Sequence, residues 1–379
     1  MFGTFPLSLW ERGNKAACVC DPIFSFESIM KELTSMSPER LQEIVGRFPK
    51  LRIAVVGDFF LDKYLDVDPA LGEPSLETGK VAHQVVGIRH SPGAAGTVVC
   101  NLAALGAGTI HAVGFTGDDG ESYDLRKDLK ALGCSTEYLD CDPQRMTPTY
   151  LKPRDYNDPS LAGEHSRYDT KNRQQTSAAV QERIIRALET LAPQVDAVIA
   201  MDQVEEENCG VVTTAVVNAL ADLAPRYPKV IFWADSRRRI RNYRNVIIKP
   251  NQFEAAGIDC PRPDETVEID HLITSVQALR QKTNAPLFAT RGSLGMMVSD
   301  PEPTLIRGVR VEGPTDPTGA GDSVTASAVL SLAAGATLPE AALIGNLVAS
   351  ITVQQLATTG TARPDQLPPR LAMWAAQGG

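Results

Sequence analysis

From Arg52 onward, apolar runs of strand length alternate with longer stretches of helical period, and no other feature restricts the fold as strongly. RIAVVGD, DAVIAMD, KVIFWAD, NVIIKP and PLFATRG are short and rich in Val, Ile and Phe. They are apolar on successive residues rather than on every second one, so both faces of each strand need cover. Between them AAGTVVCNLAALGA, SAAVQERIIRALETL, CGVVTTAVVNALADLA and VEIDHLITSVQALRQKT repeat apolar residues three and four apart, the pattern of helices that supply such cover. The expected fold is α/β, with a largely parallel central sheet flanked by helices.

Several strands end in polar residues: Gly57-Asp58, Asp202, Asp235, Asn251 and Thr290-Arg291. Open α/β sheets bind ligands beyond the carboxyl ends of their strands, so these groups are expected to converge on one crevice. Between Asp62 and Ser91 the pieces KYLDVD and KVAHQVVGIRH alternate like strands with no helix between them. They should form a small antiparallel sheet projecting over the crevice as a lid. Its exposed edges need cover, which makes a homodimer through the lid strands an expectation.

The stretch DPTGAGDSV (316–324) leads into an apolar helical run, placing Gly319, Ala320, Gly321 and Asp322 at or before its first turn. Unpaired amides and the positive dipole end there suit a phosphate or a developing oxyanion. Asp322 then has two readings. It either complements the dipole, worth roughly 0.3 to 1 kcal/mol, or accepts a proton from an attacking hydroxyl while the amides hold a phosphoryl group. Local spacing alone favours the first, and the rest of the chain must decide.

Composition removes other classes. Basic residues number 37 against 46 acidic, a net charge of -9, with no basic tract, so no nucleic-acid partner is expected. Residues 341–362 are uncharged but interrupted by Asn346, Gln354, Gln355, Gly360 and threonines, which suits a packed helix and loop rather than a membrane span. Seven cysteines without metal-ligand spacing, behind a start that lacks a secretory pattern, point to reduced thiols and a cytoplasmic location. Five histidines show no metal spacing, and neither GxxxxGK[ST] nor GxGxxG is present.

Residues 1–49 are expected to be an N-terminal extension without sustained period, apart from a short helix in PERLQEIVGRF. A single catalytic domain should occupy 50–370, and 371–379 should be a tail.

DPTGAGDSV resembles the signature of the PfkB or ribokinase family of sugar and nucleoside kinases. VVGDFFLD, PGAAGTVVCNLAALGA, VGFTGDDGES, KPNQFE and NLVASITVQQLATTGT follow in that family's order. The resemblance implies a ribokinase-like fold, with lid strands within about 62–92 and 147–170. GDFFLDKY and the DPTGAGDSV variant are most similar to heptose 7-phosphate kinases. Their bifunctional relatives carry a further nucleotidyltransferase domain, which is not expected in a chain ending at Gly379.

The implied reaction is ATP-dependent phosphorylation of a sugar or sugar-phosphate hydroxyl, with ATP and Mg²⁺ as cofactors and a monovalent cation as a further candidate. Asp322 would be the general base, and the amides of Gly319, Ala320 and Gly321 the anion hole. Asp62, Gly93, Thr97, Asn101, Lys152 and Arg154 would bind the sugar, and Asn251, Thr290, Arg291, Gly292, Thr318 and Asn346 the nucleotide. Asn251 and Glu254 would organise Mg²⁺ through water.

Two departures bear on the substrate. The usual GGAANVA becomes GAAGTVV, which puts Thr97 at an amide's place, and DYNDPSLAGEHS precedes Arg167-Tyr168-Asp169. The alternatives are a fructokinase- or ribokinase-like enzyme for another sugar or a nucleoside, and a non-catalytic sugar or nucleotide sensor.

Overall fold

The structure, a computed structural model, describes residues 31–158, 163–262, 265–356 and 358–379. Its strands are β1 (Lys31–Glu32), β2 (Arg52–Gly57), β3 (Phe59–Pro74), β4 (Val81–Ala94), β5 (Thr109–Thr116), β6 (Cys134–Cys141) and β7 (Thr149–Asp155). They continue with β8 (Tyr168–Thr170), β9 (Ala197–Asp202), β10 (Ile231–Ser236), β11 (Ile247–Ile248), β12 (Leu287–Thr290), β13 (Gly295–Ser299) and β14 (Pro303–Arg307). The helices are α1 (Pro38–Val45), α2 (Ala95–Ala104), α3 (Gly120–Ala131), α4 (Ala178–Leu191), α5 (Thr214–Arg226), α6 (Gln252–Ala256), α7 (Ile269–Thr283), α8 (Ala320–Ala333), α9 (Leu338–Thr352) and α10 (Leu367–Ala376).

Among the described residues the large sheet runs β1-β14-β13-β12-β11-β10-β9-β2-β5-β6. It is parallel except around β13, which pairs antiparallel with β12 and β14. The unbroken apolar strands are explained by two cores. Ile53, Val55, Ile199, Trp233 and Phe288 point to the face covered by α1, α2, α3, α8, α9 and α10. Their neighbours Ala54, Val56, Val198, Phe232 and Ala289 point to the face covered by α4, α5, α6 and α7. Each large side chain so buried contributes about 1.5 to 3 kcal/mol.

The second sheet, in the order β4-β3-β7-β8, is the expected lid. β3 and β4 are antiparallel, while β7 joins β3 in parallel, with Tyr64 opposite Lys152 and Asp62 opposite Tyr150. Residues 159–162 of the DYNDPSLAGEHS insertion lie outside the described residues.

At both expected domain edges, described residues pack into the fold. Within 1–49, residues from Lys31 onward are part of the fold: β1 pairs with β14, and Leu41, Ile44 and Phe48 are in the core. Ser37 Oγ caps α1 by accepting from Arg40 N at 3.1 Å, and Arg40 Nε donates to Glu340 Oε1 at 2.8 Å. Likewise the tail from 371 belongs to α10, whose Leu371 and Trp374 are buried; Trp374 Nε1 donates to the carbonyl of Arg307 at 3.0 Å. The helix in PERLQEIVGRF is the one expected, whereas α10 buries only Leu367, Leu371 and Trp374, too few for its period to stand out in sequence.

Candidate active site

The helix start in DPTGAGDSV is built as a bare turn. Gly319 is left-handed at φ 76°, and a β-carbon there would also lie 3.3 Å from Thr359 Cγ2, so glycine meets two demands at once. The Ala320 N–H donates to Pro317 O at 3.1 Å and closes the turn, which removes it from the expected anion hole. The amides of Gly319, Gly321 and Asp322 have no acceptor among the described residues. α8 beyond them is buried almost all round, from Ser323 to Ser331, so this turn is held rigidly at the crevice.

Two cavities share that turn as a wall. A polar one of about 390 Å³ is lined by Asp316, Thr318, Gly319 and Asp322 together with lid and strand-end residues. An apolar one of about 270 Å³ is lined by Pro317, Ala320, Gly321 and Val324 with Met296, Val309 and Ala349.

Asp322 is half-buried on the polar side. Burial, and then the charge of Asp235, push its carboxyl up to about 7; Lys249 opposes them, Asp62 adds to the rise and Arg237 opposes it. Lys249 itself is buried at 6% exposure, and its Nζ lies 2.8 Å from Asp235 Oδ2. Burial alone would lower its pKa, but Asp235, Asp322 and Glu254 outweigh it and keep the ammonium charged. A β-carbon on Gly321 would sit 3.4 Å from Lys249 Nζ, so the ammonium lies beside the turn's amides. Thr325 Oγ1 donates to the same Asp235 oxygen at 3.3 Å.

Of the residues expected to bind the sugar, the structure brings Asp62, Thr97, Lys152 and Arg154 together on the polar side. Lys152 Nζ is 3.0 Å from Asp62 Oδ1 and lies 5.0 Å from the Tyr64 ring centroid. Two expected residues stand behind this wall. Gly93 is there for room, since a β-carbon would fall 2.7 Å from Asp62 Oδ2. Asn101, fully buried, donates from Nδ2 to Thr97 O at 3.0 Å and so steadies the turn of α2 that presents Thr97.

On the apolar side Thr290, Gly292 and Asn346 line the cavity; Asn346 Nδ2 donates to Arg307 O at 3.0 Å. Thr318 falls instead on the polar side, because the left-handed Gly319 turns the chain between them. Arg291 lines neither cavity. Asn251 and Glu254 form a capping box at α6: Asn251 Oδ1 accepts from Glu254 N at 2.9 Å, and Glu254 Oε2 from Asn251 N at 2.7 Å. Burial raises the Glu254 carboxyl, the Asn251 amide lowers it, and Asp235 raises it further.

Sequence reasoning assigns no site role to Lys249, Arg237, Gln203, Tyr150 or Glu164, yet Lys249 adjoins the turn and the others line the polar cavity, as does Arg167 of the substrate-bearing departure. For Lys249 and Arg237 the signal was present, since each lies within two residues of a polar strand end.

The model of the pfkB family carbohydrate kinases matches residues 51–365. The bifunctional protein HldE of Desulfatibacillum aliphaticivorans is 30% identical over 85% of this chain and 63% of that relative. HldE of Pseudomonas aeruginosa strain LESB58 is 31% identical over 84% of this chain and, again, 63% of its own length. The chain therefore spans less than two thirds of these relatives. Among solved structures, phosphofructokinase-2 from Escherichia coli in complex with potassium superposes with a TM-score of 0.63 at 17% identity, covering 86% of this chain and 99% of that one. Arabidopsis thaliana ribokinase complexed with ribose and ATP gives 0.59 at 16% identity, covering 85% and 98%. A ribokinase-like fold and a match over nearly the whole described domain agree: the chain belongs to the pfkB family of carbohydrate kinases.

Proposed function

We propose that this kinase transfers the terminal phosphoryl group of ATP to a hydroxyl of a sugar phosphate, with a heptose 7-phosphate as the leading acceptor. The observation that carries the reading is the shared turn: Asp322 faces the polar cavity while Gly321 of the same turn faces the apolar one. A hydroxyl in the first and a phosphate from the second meet only there. Asp322 takes the hydroxyl proton, and the amides of Gly319, Gly321 and Asp322 with the Lys249 ammonium receive charge on the transferring group. Asn346, Thr290 and Gly292 line the space for the nucleoside.

Among the described residues no three His, Cys, Asp or Glu gather to hold a metal. That donor set fits an Mg²⁺ held mainly by nucleotide phosphates and water, with Glu254 reached through water and Asn251 placing it. When bound, the ion offsets phosphate charge.

Lys152, Arg154, Arg167 and Arg237 line the polar cavity beside Asp62, Glu164, Asp316 and Asp322, so it offers cations to an acceptor's anion and carboxylates to its hydroxyls. Similarity to heptose 7-phosphate kinases points the same way. The edge strand β4 exposes Val81, Val85 and Ile88, the surface proposed to pair with a second copy of the chain.

The test is ADP production from ATP with heptose 7-phosphate, fructose, fructose phosphates, ribose and nucleosides. Heptose 7-phosphate is expected to give the highest kcat/KM. A neutral sugar or nucleoside turned over faster would overturn the sugar-phosphate reading, and thermal stabilisation by ligands with no ADP from any of them would favour the sensor.

A further inference from the structure

A third cleft, of about 360 Å³, lies between α5, the segment after β10 and the last turn of α7. Its lining contains Arg239, Arg241, Arg244 and Lys282 with Asn208, Thr214, Asn218 and Asn242, and no aspartate or glutamate. In a chain of net charge -9 this is an electrostatic exception. Nearby cations are paired: Arg237 and Arg238 with Glu205, and Arg280 with Asp300. Arg239 is also engaged, by Asp202 Oδ1 at 2.5 Å and Glu205 O at 2.8 Å.

Arg241, Arg244 and Lys282 differ. All three are exposed at the cleft, and none makes a hydrogen bond or ion pair among the described residues. Arg241 is nevertheless placed: its Nη1 lies where a β-carbon on Gly257 would come within 2.4 Å, so the side chain packs over the left-handed end of α6. The start of α5 is already satisfied, since Thr213 caps it and Asn208 Oδ1 accepts from Thr214 N at 2.8 Å. The cations, not helix amides, therefore define what the cleft can hold.

We propose that this cleft is a second anion site, separate from the two cavities at α8, for a small phosphorylated organic anion carrying a pyrophosphate or two phosphate groups. Two guanidinium forks and an ammonium match several phosphate oxygens better than a lone carboxylate. The amide and hydroxyl groups of Asn218, Asn242 and Thr214 add donors for the ligand's remaining oxygens. The cleft is nearly as large as the polar cavity.

Its position gives the site a role. The segment following β9 supplies Gln203 to the sugar cavity and Asn208 and Val212 to this cleft. The segment following β10 supplies Arg237 to the first and Arg241, Asn242 and Arg244 to the second. An anion that orders these two segments acts on Gln203 and Arg237 from behind, as an effector of the sugar cavity.

The probe is inorganic pyrophosphate, titrated calorimetrically into the full chain with the nucleotide cavity saturated by a non-hydrolysable ATP analogue. The variant Arg241→Gln/Arg244→Gln/Lys282→Gln, at surface positions where folding should survive, is expected to bind about tenfold or more weakly. Arg241→Lys/Arg244→Lys should bind more weakly than the parent and more tightly than the triple variant, because the charges remain while the two guanidinium forks are lost. Hydrogen exchange in 203–213 and 237–246 should slow on pyrophosphate addition in the parent and not in the triple variant. Equal affinity of parent and triple variant, or protection confined to the α8 cavities, would overturn the proposal.

Discussion

Replacing Asp322 by Asn should destroy turnover and strengthen the fold, and the size of the second effect follows from the site. Burial and then the charge of Asp235 lift the carboxyl from 3.8 to about 7. The folded chain therefore holds a proton that the unfolded chain has released across that interval, and rising pH removes stability at about 1.4 kcal/mol per pH unit. Summed over the interval, the ionised side chain costs the fold about 2 kcal/mol at pH 5 and about 4 kcal/mol at pH 8. Water entering by the cavity trims these figures, so Asp322→Asn, of the same shape without the charge, should gain about 2 to 4 kcal/mol at pH 8. The gain should shrink to about 1 kcal/mol at pH 5 and vanish near pH 3. Loss of a general base should lower kcat by a factor of about 10² to 10⁴. Urea unfolding of both proteins at several pH values reads the first effect, and coupled ADP production the second. In the parent, the ionised fraction rises from about 9% at pH 6 to about 91% at pH 8, so activity should climb roughly tenfold. A variant less stable than the parent at pH 8, or parent activity flat across that range, would refute the reasoning.

Lys249→Met removes the charge that most holds Asp322 down, so the acid limb of the pH–rate profile should move above 7 while kcat drops by about 10² or more. Retained kcat with only a raised KM for ATP would show that the ammonium binds the nucleotide without touching the transferring group. Gly93→Ala puts a methyl 2.7 Å from Asp62 Oδ2 and should raise KM for the sugar about tenfold with KM for ATP unchanged. An equal rise in both constants would mean that Gly93 matters to the fold as a whole.

The sheet was legible because a strand covered on both faces cannot hide its composition: Ile53 and Ala54, adjacent in sequence, enter different cores and are both apolar. The helix start at Gly319–Asp322 was legible because two glycines flanking an alanine lead straight into an apolar run of helical period. What the sequence hid depends on partners distant along the chain. Leu41 and Trp374 are core residues only because α1 packs on α10 and α10 on α9. The Ala320 amide looked identical to its neighbours until Pro317 took it. Lys249 and Arg237 carried ordinary surface chemistry in sequence, and their placement comes from where β10 and β11 end.

The position of Asp322 contains an apparent contradiction, because a helix start should favour a charged carboxylate and yet this one is held near neutrality. The dipole is worth about 0.3 to 1 kcal/mol, less than one pKa unit. Burial and Asp235 act in the other direction over some three units, so they decide the outcome. An arriving phosphate would drive the value higher still and silence the base. The Lys249 ammonium, beside Gly321 and charged in spite of its burial, stands where it can cancel that added charge. The buried pair of Asp235 and Lys249 is thus less a device for stability than a counterweight: it lets one turn of helix accept an anion and keep a proton acceptor working within the same few ångströms.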